Sequence, residues 1–89
     1  MSEAFLEITF LHGRPFAAYF YLPRRVGEKS YRTRLVEPGL VIDFNRAGRA
    51  IGIEITAPGE LTFAQFNRVL RDVGAAPIKR AELAPLLPA

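Results

Sequence analysis

Apolar and polar positions alternate through the first two thirds of the chain, and the period changes only after Pro58-Gly59. From Phe5 to His12, Leu6, Ile8 and Phe10 alternate with Glu7 and Thr9, the pattern of a half-buried strand. His12-Gly13-Arg14-Pro15 follows as a turn, because glycine accepts a positive φ and proline opens a strand without an N–H to pair. Phe16 to Leu22 is a second strand stopped by Pro23, with Phe16, Ala18, Phe20 and Leu22 on one face and Ala17, Tyr19 and Tyr21 on the other. Apolar character on both faces predicts a strand covered on both sides or one facing a partner chain. After a basic connector, Arg24 to Lys29, a third strand runs from Ser30 to Glu37, where Tyr31, Thr33 and Leu35 alternate with Arg32, Arg34 and Val36. Pro38-Gly39 breaks it. Leu40 to Phe44 and Arg49 to Thr56 then form a hairpin around Asn45-Arg46-Ala47-Gly48, with asparagine first and glycine fourth as a type I turn with a glycine bulge prefers.

Beyond Pro58-Gly59 the period becomes helical. Thr62 suits an N-cap, and Gln65 three residues on completes a capping-box pattern. Phe63, Phe66, Leu70 and Val73 make an apolar stripe, Gln65, Arg68, Arg71 and Asp72 point away, and Gly74 ends the helix. Lys79 to Leu83 is read as one more short turn, packed through Leu83, Leu86 and Leu87 and kept short by Pro85 and Pro88. The expected architecture is α+β: a five-stranded antiparallel meander followed by one amphipathic helix and a short C-terminal turn or helix, in a single domain over residues 1–89.

Composition narrows the chemistry. The 89 residues include no cysteine and one histidine, His12, which removes disulfides, thiolate zinc sites, a cysteine nucleophile and multi-histidine metal centres. The start, Met-Ser-Glu-Ala-Phe, lacks the basic start and cleavage site of a signal peptide, and no uncharged run approaches a membrane span, so the expected setting is cytoplasmic with no membrane partner. The net charge of +3, carried mainly by arginine, mildly favours an anionic partner and also serves solubility.

Few residues assemble into a catalytic pattern. Neither Ser2 nor Ser30 lies in a nucleophile elbow, His12 stands beside a turn, and Gly48 and Gly52 form no phosphate-binding loop. Asp43 and Glu54 are the most suggestive acids, since each interrupts an apolar strand of one hairpin. Held close they would split their pKa values; otherwise they face water, or Glu54 pairs with Arg32 or Arg34. Two carboxylates make a poor Mg²⁺ site, and no metal or cofactor is expected. Arg24, Arg25, Lys29, Arg32 and Arg34 concentrate positive charge near Tyr19 and Tyr21, a combination that single-strand binders use and that edge strands also use against aggregation.

The stretch from Val36 to Ile55 resembles a small bacterial family catalogued as domain of unknown function 2283, whose members show an apolar strand ending in Asp-aromatic, a turn closing on glycine, and Gly-Ile-Glu-Ile. The matching residues are Gly39, Asp43, Gly48, Gly52, Ile53, Glu54 and Ile55. Family members tend to carry Asp-Ala-x-Tyr before an apolar strand; Phe16-Ala17-Ala18-Tyr19 keeps the alanine and tyrosine and replaces the aspartate. The family has no established activity. Its members are often encoded beside small proteins that look like ribonuclease toxins, and the resemblance implies an antitoxin or partner-binding role. The expectation is a non-enzymatic protein-interaction domain that pairs with itself through Tyr19, Phe20 and Tyr21, and with another small protein. The alternative is a nucleic-acid-binding module using Arg24, Arg25, Arg32 and Arg34.

Overall fold

The computed structural model describes residues 3–87, so the expectations for Ser2 and Pro88 lie outside the described residues. Five strands form one antiparallel sheet: β1 (Phe5–Leu11), β2 (Arg14–Tyr21), β3 (Arg32–Glu37), β4 (Leu40–Phe44) and β5 (Ala50–Ile55). A single 3-10 turn over Pro58–Glu60 leads into α1 (Phe63–Asp72), and the short α2 (Arg80–Leu83) follows. The α+β class is the one the periodicity predicts. The strands do not lie in chain order, however. Their order is β1-β2-β5-β4-β3, so a β1–β2 hairpin and a β3–β4–β5 meander join through β2 and β5. A simple meander would set β3 beside β2; here the basic connector carries the chain past that position, and β3 becomes an edge strand.

One face of the sheet is a core layer. Ala18 and Phe20 of β2, Ile53 and Ile55 of β5, and Leu40 and Ile42 of β4 are buried and share this face through their registers. α1 lies over them with Phe66, Val69 and Leu70 buried, and the Phe20 and Phe66 rings meet edge-on at 5.3 Å. Each such side chain contributes on the order of 1.5–3 kcal/mol by leaving water. The C-terminal turn closes one end of this layer with Ile78, Leu83 and Leu86 buried and Leu87 packed against them.

Local signals position the elements. The Thr62 side chain accepts from the Gln65 N–H at 3.1 Å, as an N-cap should. Across to β3, Arg68 of α1 donates to Glu37 Oε1 at 2.8 Å, and Arg68 and Gln65 together hold that carboxyl below its usual value. Gly74, at φ +76°, ends α1 while the Ala75 N–H donates back to the Leu70 carbonyl at 2.9 Å. At the β4–β5 turn the Gly48 N–H donates to the Asn45 carbonyl at 3.0 Å, with Gly48 at φ +88°. The Asn45 side chain accepts from the Arg49 N–H at 2.8 Å. Among the described residues, no helix is long and apolar enough to cross a membrane.

The β1–β2 hairpin departs from its expected pattern. The register slips between Thr9 and Phe10, and the extra residue falls on β2, leaving Phe16 without a partner. Beyond this bulge Phe10 and Phe16 do not reach the core: they are 56% and 60% exposed. His12 occupies the turn with φ 53° and is exposed.

Candidate functional site

Among the described residues, no layer covers the second face of the sheet. Its residues follow from the registers: Phe5, Tyr21, Gly52, Asp43 and Thr33 make one cross-strand row, and Glu7, Tyr19, Glu54, Val41 and Leu35 make the next. At its centre the Tyr19 ring crosses β5 directly above Gly52, and its hydroxyl donates to Asp43 Oδ2 at 2.6 Å. Gly52 is required for this, because any Cβ there would overlap the tyrosine ring and hydroxyl. Burial and the bond to Asp43 push the Tyr19 phenol well above the ordinary tyrosine range, while the positive charge of Arg24 acts in the opposite direction.

Aromatic rings extend the clasp toward β1. Tyr19 and Tyr21 approach at 4.6 Å, and Tyr21 stacks on Phe5 at 4.4 Å and 16°. The Tyr21 hydroxyl donates to Glu7 Oε1 at 3.1 Å, a bond that raises its pKa, and the Arg24 guanidinium lies 4.9 Å above its ring. The second strand's two-faced apolarity therefore has two explanations. Its inner face is core, and its outer face is roofed in part by its own tyrosines.

Several candidate residues separate. Arg24 joins Tyr19 and Tyr21, but Arg32 and Arg34 stand opposite Phe44 and Ile42, on the side of the sheet that carries the helix. Arg34 lies 5.2 Å from the Phe44 ring instead. The expected basic platform of tyrosines with Arg32 and Arg34 is thus split between two faces. For the same reason Glu54 does not pair with Arg32 or Arg34; it stands exposed between Val41 and Tyr19. Asp43 and Glu54 share the outer face in adjacent rows, with Asp43 engaged by Tyr19. Phe20, expected at a dimer contact beside the two tyrosines, is 2% exposed and belongs to the core. Arg25 remains exposed in the connector.

Sequence reasoning missed the residue that orders this connector. Glu28 accepts from the Arg25 N–H at 2.9 Å, from Asn45 Nδ2 and from Arg49, which also donates to the Pro23 carbonyl. These donors, led by the Arg25 N–H and the Asn45 amide, lower its carboxyl to about 2. Its signal in the sequence is a lone acid amid five bases; in the structure it is a tether between the connector and the β4–β5 turn. Among the described residues no group of three His, Cys, Asp or Glu side chains could hold a metal ion.

Tyr19, Gly39, Asp43, Gly48, Gly52 and Glu54 all fall within one continuous stretch, which runs from Ala17 in β2 to Ala57 after β5 and matches the model of a family described as "Protein of unknown function (DUF2283)". The match spans residues 17–57, a little under half of the chain, and is a likeness of that segment to the family. The segment contains the clasp, the whole of β3, β4 and β5 and the second part of β2, while β1, α1 and α2 lie outside it. No curated protein and no solved structure matches the chain. Within this matched segment, Gly39 and Gly48 form turns, and Gly52 with Asp43 forms the tyrosine seat, so these residues have direct structural work.

Proposed function

We propose that this chain is a non-catalytic protein-interaction domain that works as a homodimer. The observation that carries the reading is the amount of large apolar surface outside the core on one hairpin: Phe5, Phe10, Leu11 and Phe16 of the β1–β2 hairpin are 44–60% exposed. Contiguous exposed apolar surface marks an interface more often than any other role. The Tyr19–Asp43 pair fits this reading as a clasp that stiffens the face, because the hydroxyl is spent on the carboxylate over a glycine floor. The division of arginines and tyrosines between two faces favours protein contact over a stacking platform for nucleic acid. A small toxin-like protein is the further partner suggested by the resemblance to its family.

Light scattering after size exclusion tests the assembly directly. The expected result at micromolar concentration is twice the 9.9 kDa chain mass. A monomer mass maintained at high concentration overturns the reading.

A further inference from the structure

The two edges of the sheet are built differently. β3 is guarded: Arg32 and Arg34 project from it, and Pro38 closes its end. Pairing β3 with itself about Thr33 would set Arg32 opposite Arg34 of the other copy, and like charges directly opposed are destabilising. β1 is unguarded. Its seven residues, Phe5–Leu11, contain no proline, lysine or arginine, and Glu7 is their one charge. Among the described residues, β1 pairs with β2 alone, so the backbone groups on its outer side have no protein partner.

We infer that the homodimer forms by antiparallel pairing of β1 with β1 of a second copy, centred on Ile8, giving one ten-stranded sheet. This rests on the homodimer reading above and names its surface. The register follows from charge and pleat. A two-fold axis normal to the sheet sets each residue opposite one of the same face, so the pairing must be centred on a residue. Centring on Glu7 opposes two carboxylates. Centring on Ile8 sets Ile8 against Ile8, Leu6 against Phe10, Phe5 against Leu11 and Glu7 against Thr9, which buries exposed apolar surface without opposing like charges. Pairing β1 with β3 of another copy is disfavoured, because Leu6 and Ile8 would then lie beside Arg32 and Arg34 on the helix side of the sheet. Assembly therefore stops at two, with both outer edges guarded.

The test uses the full chain and the Glu7–Thr9 contact that only this register makes. Both side chains are exposed, and melting followed by circular dichroism checks that each variant stays folded. Thr9→Glu opposes two carboxylates at two symmetry-related positions and is expected to raise the dimer Kd roughly tenfold. Adding Glu7→Lys to Thr9→Glu restores an attractive pair and recovers the dimer. Leu35→Glu, on the open face of β3 at the opposite edge of the sheet, leaves the Kd unchanged. A dimer that ignores Thr9→Glu, or one that dissociates with Leu35→Glu, overturns the β1 pairing while leaving the homodimer standing. A wild-type monomer overturns both.

Discussion

The two faces of this sheet use the same five strands to opposite ends. The inner face is aliphatic, with Ile42, Ile53 and Ile55 between 0 and 1% exposed beneath Phe66 and Leu70. Its cohesion is non-directional and scales with area. The outer face holds together by directed contacts: a hydroxyl aimed at Asp43, a ring laid over Gly52, a stack on Phe5. The lesson is that a sheet face can be ordered without being buried, and that such a face stays available to a partner.

The comparison breaks most visibly at Phe66. Phe66→Ala removes the ring that meets Phe20 and is expected to cost about 3–5 kcal/mol in chemical denaturation, leaving little margin in a small domain. A loss below about 1 kcal/mol would mean that α1 is not what covers the sheet.

Gly52 tests the outer face. Gly52→Ala drives a Cβ into the Tyr19 ring and is expected to cost about 1–3 kcal/mol. Tyr19→Ala removes the obstacle, so the same alanine at position 52 becomes nearly free in that background. The measurement is a double-mutant cycle by denaturant titration, and additive losses would contradict the clasp.

The smallest effect is a matter of pH. The Tyr19 phenol is held above its ordinary value of 10.0 by burial and by Asp43, so the folded state keeps its proton where the unfolded chain releases it. Its contribution is full below pH 10.0 and declines as pH rises beyond that value. Alkaline titration of phenolate absorbance should show Tyr19 and Tyr21 ionising late, with one fewer late tyrosine in Tyr19→Phe. An unchanged titration in that variant contradicts the hydrogen bond.

Features set by neighbours in sequence were legible from the residues. The Asn45–Gly48 turn, the Thr62 cap and the Gly74 stop each depend on a few adjacent positions, and each forms where the pattern places it. Features set across strands were not. The face carrying Arg32 and Arg34 depends on a register relayed from β2 through β5 and β4, so no local alternation relates them to Tyr19. The exposure of Phe10 and Phe16 follows from a one-residue bulge that their apolar character does not reveal. A sign of the clasp was nevertheless present: a glycine inside an apolar strand marks close approach by something, and Gly52 is approached by Tyr19.

The strand order has a consequence for synthesis. β5 is the last strand to leave the ribosome, yet it sits in the middle of the sheet, between β2 and β4. Until it emerges, β2 has a bare side that no earlier segment covers, and the growing chain is open to wrong pairing with its neighbours on a polysome. Residues 50–55 therefore arrive as the piece that joins what came before them. A chain exposed only as far as the Asn45–Gly48 turn would hold a β1–β2 and a β3–β4 hairpin with no strand to join them.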